Sequence, residues 1–123
     1  MRLLLDTHVV LWWLADDPQL GARHRELIAD PGNDVHFSAV SVAEIAIKSS
    51  LGKLTAPADV VTPLVDDGIA PVPFTPEHAA ALRGLPWHHR DPFDRMLACQ
   101  AQVEDLVLAT VDARLGEYDI RTV

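Results

Sequence analysis

The stretch RLLLDTHVVLWWLA, residues 2–15, holds two patterns joined at one acid. Residues 2–5 are a continuous apolar run that stops abruptly at Asp6, as a buried parallel strand does. Residues 7–15 then read as a helix, halted by Asp16, Asp17 and Pro18. A strand passing straight into a helix is the opening of an α/β unit, and in parallel sheets ligands gather outside the strands' carboxyl ends. Asp6 therefore has two readings, N-cap of the next helix or member of a site.

Outward from this unit the alternation continues. Residues 22–30 read as a helix closed by Pro31 and Gly32, 34–39 as a strand, and 41–52 as a helix with a glycine at its end. Five of the nine prolines fall between 55 and 76, so 58–67 is expected as a short helix and 69–74 as an edge strand. Residues 76–85 and 92–104 read as helices, 106–110 as a clear strand, and 118–123 as a last one. There are no repeats, linkers or low-complexity tracts. The expectation is one α/β domain over 1–123, with a mainly parallel central sheet and helices on both faces.

A hydrophobic fraction of 49% with 23% charged residues is that of an ordinary globular protein, long enough to bury a core without staples. The single cysteine, Cys99, cannot form an internal disulfide and lies in the apolar run MLAC, where a core role is favoured. Asp6 and His8 interrupt the N-terminal apolar run, against a signal peptide, and no run approaches the ~20 residues that span a bilayer. A cytoplasmic location is expected. The net charge of −8 disfavours a nonspecific nucleic-acid coat protein. It leaves room for a nuclease, in which clustered carboxylates hold a divalent cation that reverses the local sign.

Four acids recur at strand ends or helix starts: Asp6, Glu44, Asp94 and Asp112. Each has a plain explanation. Asp6 suits an N-cap, Ser41 and Glu44 have capping-box spacing, and Asp112 suits a turn. Asp94 falls in the first turn of a helix that Asp91 caps and Pro92 begins. Taken together they weigh differently. Parallel strands place all four at one edge of the sheet, where the carboxylates would repel one another and raise one another's pKa values. A cation resolves that repulsion, and oxygen ligands without cysteine suit Mg2+ or Mn2+.

At this point the chain resembles a PIN-domain ribonuclease, specifically a VapC-type toxin of a bacterial toxin–antitoxin pair. The matching stretches are LLLDTHVVLWWL, SAVSVAEIAIKSSLGKL, LPWHHRDPFDRMLACQAQ and LVLATVDARL, in family order and spacing over most of the chain. The resemblance implies a metal-dependent endoribonuclease with Asp6, Glu44, Asp94 and Asp112 as its acids. Asp6 and Asp94 would be the principal metal ligands, and Asp91 a cap or an additional acid. It also implies a homodimer and an antitoxin whose basic tail enters the acidic groove. The RNA, transfer or ribosomal, is left open.

The neighbours of the acids supply helpers. Thr110 is read as a site hydroxyl and Thr7 as a residue supporting the carboxylates. Arg90, Arg95 and Lys53 are the candidate RNA contacts, whereas Lys48 has the spacing of a salt bridge to Glu44. His88 and His89 raise a metal-free acid–base alternative, ranked low because adjacent side chains on a loop rarely face one site. Of Trp12 and Trp13, one is expected in the core and one at an interface; for Trp87 packing is favoured over base stacking. A phosphatase of the haloacid dehalogenase type would need an acid at position 8, where His8 stands. A receiver domain would pair its acids after the first strand, and LLLDT does not. A catalytically silent PIN-like binding module would lack acids of the set, and none is missing.

Overall fold

The structure, a computed structural model, describes residues 1–123. Its strands are β1 (Arg2–Leu5), β2 (Asp34–Ser38), β3 (Ala70–Val72) and β4 (Val107–Ala109). The helices are α1 (Thr7–Leu14), α2 (Ala22–Ala29), α3 (Ala39–Ser50), α4 (Val61–Asp66), α5 (Pro76–Ala81) and α6 (Pro92–Glu104). The four strands form one parallel sheet in the order β3-β2-β1-β4. Strand order reverses at β1, so the crevice between the carboxyl ends of β1 and β4 is the topological switch point where α/β sheets place ligands.

The period-2 alternation of β1 builds a core on each face. Leu3 and Leu5 pack with Val9 and Val10 of α1, Ile28 of α2, Ile45 of α3 and Leu64 of α4. Leu4 and Leu108 point the other way, onto Leu97, Ala98, Cys99 and Ala101 of α6. Burial on both faces is why β1 from Leu3 onward and β4 are continuously apolar. Pro71 is tolerated because β3 is an edge strand.

Three local expectations are corrected. Helix α3 starts at Ala39, capped by Ser38, whose hydroxyl accepts from the Val40 amide and donates to the buried Gln100. Ser41 is thus inside the helix and forms no capping box with Glu44. Residues 76–85 divide into α5 and a 3₁₀ turn over Leu82–Gly84. The 118–123 segment makes only a bridge, Leu108 to Thr122, because the chain turns sharply where the Ile120 amide bonds the Tyr118 carbonyl at 2.8 Å. Tyr118 is buried at that bend, and only the last residues reach the edge of β4.

Helix α6 runs between two definite ends. Asp91 accepts from the Phe93 and Asp94 amides (2.9 and 3.1 Å) and Pro92 occupies the first turn. Asp105 closes the helix in the left-handed region at φ 53, which a short acid side chain tolerates. Arg95 does not face solvent: it is 4% exposed. Its guanidinium donates to the carbonyls of Pro86 (2.8 Å) and Leu85 (3.2 Å) and to the Tyr118 hydroxyl (3.2 Å), pinning the 85–91 loop to α6. The expected RNA contact at Arg95 is therefore corrected to a structural role. Arg95→Met, which takes the donor from the Pro86 and Leu85 carbonyls and leaves the Tyr118 hydroxyl only the His89 amide, should lower the unfolding free energy by about 2–4 kcal/mol in urea titrations. Arg95→Lys should recover little of it, because one ammonium cannot span the fork of acceptors.

Candidate metal centre at the carboxyl edge of the sheet

Asp6 leaves β1 at the switch point and is 2% exposed. One carboxylate oxygen caps α1 through the Val9 amide (2.9 Å); the other accepts the Thr110 hydroxyl (2.5 Å). Thr110 in turn accepts from the Asp112 amide (3.0 Å), so a single hydroxyl ties the end of β1 to the turn after β4. Burial raises the pKa of Asp6, and the Thr110 and Val9 hydrogen bonds oppose that rise.

Glu44 comes from the middle of α3 and is 5% exposed. Its Oε2 is paired with Lys48, one turn along, and the bond raises the Lys48 pKa. Its Oε1 is buried without a hydrogen-bond partner. A buried carboxylate oxygen left in that state is costly unless something cationic faces it.

Asp94 is the electrostatic focus. Burial first, then the charges of Asp91, Asp6 and Glu44, push its pKa up to about 6, against the pull of His89. Those contributions bring acids from three separate segments, the end of β1, the middle of α3 and the start of α6, into one field. Asp112 is the opposite case. The Arg114 guanidinium grips both of its oxygens (3.1 and 3.0 Å) and holds its pKa down at about 2.

His89, weighed from the sequence only as half of a metal-free acid–base pair, is a member of this site. Its Nε2 lies 3.0 Å from Asp94 and 2.9 Å from Asp112, and the ring is buried. The Asp91 amide donates to Nδ1 (3.1 Å), which places the ring proton on Nε2. His89 Nε2 and one oxygen each of Asp94 and Asp112 lie within 4.8 Å of one another. With its proton there, Nε2 donates to the two acids and offers a cation no lone pair, so His89 positions carboxylates rather than ligating. His88 faces elsewhere, edge-on to Tyr118 at 5.0 Å and 3.6 Å from Glu117. The two histidines share no pocket, which removes the geometric basis for a metal-free acid–base pair. A signal for His89 existed in its spacing from Asp91 and Asp94, but the hydrogen bond that orients it needs the folded loop.

The remaining candidates divide. Thr7 is buried, and its hydroxyl meets Ser41 at 3.0 Å, joining α1 to α3 instead of orienting a carboxylate. Asp91 caps α6 and also contributes to the field on Asp94. Arg90 is exposed; Lys53 is exposed with no ion pair or side-chain hydrogen bond. Trp12 and Trp13 are both half-buried against the core, Trp13 donating its indole N–H to Asp67 (3.0 Å) and Trp12 lying 5.7 Å from the His8 ring. Trp87, expected to pack, is 75% exposed.

The donor set fits a hard divalent cation: carboxylate oxygens from several elements, one of them buried and unpartnered, and no thiolate. The pH dependence follows from Asp94. Its folded pKa exceeds its ordinary value of 3.8, so between those values the native state binds more protons than the unfolded chain. Stability in the absence of divalent cations should therefore fall as pH rises from 3.8 to about 6. Urea titrations in chelator across that range should show this slope, and Asp94→Asn should flatten most of it.

A model of the PIN domain family matches residues 3–121. No curated protein sequence matches the chain. Among solved structures, the chain is similar to one in the crystal structure of VapBC2 from Rickettsia felis bound to a DNA fragment from their promoter, with 16% identity and a TM-score of 0.73 over 100% of this chain and 98% of that one. It is similar to FitAcB from Neisseria gonorrhoeae at 22% identity and a TM-score of 0.64, covering 98% and 95% of the two chains. A third likeness is to DNA-bound VapBC from Salmonella typhimurium, at 20% identity and a TM-score of 0.66 over 100% and 97%. At these identities the likeness is one of fold. The family match, by contrast, runs from the first strand to the segment that bridges β4, and the chain belongs to the PIN-domain family.

Proposed function

We propose that this protein is a divalent-metal-dependent endoribonuclease and the toxin of a bacterial toxin–antitoxin pair, cutting a structured transfer or ribosomal RNA. The observation that carries the reading is the shared field of Asp6, Glu44, Asp91 and Asp94 at the switch point, with Glu44 Oε1 buried and unpaired. Asp6, Glu44, Asp94 and Asp112 would hold Mg2+ or Mn2+. Bound there, such a cation supplies Lewis acidity toward a phosphate oxygen and a water acidic enough to attack phosphorus.

The chain's own residues prepare that chemistry. Thr110 fixes the Asp6 carboxylate through one hydrogen bond. Lys48 neutralises Oε2 of Glu44 and leaves Oε1 buried without a partner. His89 Nε2–H keeps Asp94 and Asp112 side by side against their repulsion, and Arg114 carries the excess charge of Asp112. Arg90, exposed at the rim, is available to phosphate. Hydrolysis by water would leave 5′-phosphate and 3′-hydroxyl ends.

The resemblance to VapC-type toxins and the likeness to VapBC and FitAcB support an antitoxin partner. A cleft of about 330 Å³ supports it too, lined by Leu11, Trp12 and Leu54, with Asp17 as the acid at its edge and Glu44 already paired with Lys48 inside it. Exposed Ile47, Leu51, Val61 and Val65 support a further apolar contact, consistent with a homodimer. No helix is long and apolar enough to cross a membrane, and a cytoplasmic location is part of the proposal.

Asp6→Asn and Asp94→Asn should each lower RNA cleavage by at least about a hundredfold, beyond what removal of an outer partner costs. The same variants should abolish growth arrest in cells lacking the antitoxin. Arrest or cleavage that survives either change would sink the proposal. His89→Ala should be milder, about 10–100-fold down in rate, because the ligands stay and only their positioning is lost. End-mapping of the products should find 5′-phosphates; cyclic phosphates would instead implicate attack by the 2′-hydroxyl.

A further inference from the structure

Trp87 is 75% exposed, more than any other large apolar side chain that reaches the surface. It is nevertheless held in place. The Arg95 guanidinium lies 3.6 Å from the centre of its ring, and Arg95 is itself buried and bonded to Pro86, Leu85 and Tyr118. One indole face thus rests on a fixed cationic shelf and the opposite face lies open. Exposing so much apolar area costs hydrophobic free energy, and a stacked cation on one side does nothing to cover the other.

The surroundings say what fits the open face. The chain has 18 acids against 10 lysines and arginines, yet three of those ten, Arg83, Arg90 and Arg95, meet around Trp87. They line a cleft of about 300 Å³ with Pro92 and Met96 and without a single acid. Arg83 and Arg90 are exposed and form no ion pair, so their charge is uncompensated. An aromatic face between free arginines is how sequence-tolerant proteins bind single-stranded nucleic acid: bases stack, and cations follow the phosphates. Trp87 stands two residues before His89, which bonds Asp94 and Asp112. The same clustered arginines would repel a basic peptide.

The geometry points to a base-stacking platform at Trp87, on which an unpaired RNA base lies against the open indole face while Arg83 and Arg90 hold flanking phosphates. The inference rests on the ribonuclease reading and adds to it a recognition element: the cut RNA presents a single-stranded loop or bulge beside the scissile phosphate.

The test uses Asp94→Asn protein, so that RNA is bound and not cut, with two probes of equal charge: a single-stranded ten-nucleotide oligoadenylate and an abasic decamer. Oligoadenylate should bind about tenfold tighter than the abasic strand and quench tryptophan fluorescence. Adding Trp87→Ala should shrink the preference to about twofold or less, whereas Trp87→Tyr should retain most of it. Arg83→Gln with Arg90→Gln should weaken both probes alike and reduce the salt dependence of binding. Thermal melts of each variant exclude loss of fold as the cause. A preference that persists in Trp87→Ala overturns the platform. Equal binding of the two probes, or binding of neither, overturns it as well and assigns the face to a protein partner or to none. The cleavage assay with Asp6→Asn and Asp94→Asn judges the ribonuclease reading separately, since base preference can be present or absent whatever that assay returns.

Discussion

The charges of Asp91, Asp6 and Glu44 all bear on Asp94, whose carboxyl is held near pH 6 by burial and by their repulsion. These acids come from the start of α6, the end of β1 and the middle of α3. Holding them together opposes folding, and much of the local architecture restrains that cost. Asp6 and Asp91 spend part of their charge on helix amides, Glu44 is paired with Lys48, Asp112 with Arg114, and His89 stands between Asp94 and Asp112. What these partners leave uncompensated sits at the switch point, where β1 and β4 part. Charge gathered at this place and neutralised only at its periphery is what supports the proposal of a bound cation.

The capping roles and the site roles of these acids are the same geometry seen at two scales. An acid at a strand's carboxyl end is well placed to accept from the next helix's amides, and it is also at the edge where ligands bind. This is why Asp6 and Asp91 could be read plainly as caps from the sequence and why the reading stands. Their proposed second role follows from the expectation of parallel strands, and the sheet does bring the carboxyl ends of the strands to one edge.

Much of the fold was legible because both signals were strong. An apolar run ending at Asp6 marked β1, the run LVLAT marked β4, and the Asp91–Pro92 pair marked the start of α6 at the observed residue. Legibility failed where a side chain's partner lay far along the chain. Ser38 displaced Ser41 as the cap of α3, and its hydroxyl also bonds Gln100, sixty-two residues away. Tyr118, bonded to the His89 amide and Arg95, bends the chain that alternation alone would continue as a strand. His89 was hidden for the same reason: its orientation depends on a loop closed by these contacts. Arg95 and Trp87 exchanged expected places, the cation inside and the indole outside. A guanidinium can be buried when carbonyls meet its donors, whereas residue type alone says nothing of that supply.

The most direct measurement is a calorimetric titration of Mn2+ into the protein at pH 6, in buffers of different ionisation enthalpy, with Asp94→Asn alongside. Saturable binding should release on the order of half a proton, the fraction still held by a carboxyl with a pKa near 6, and the release should vanish in the variant. Absence of saturable binding, or binding that releases no proton and is unchanged by Asp94→Asn, would contradict a metal centre organised around this carboxylate.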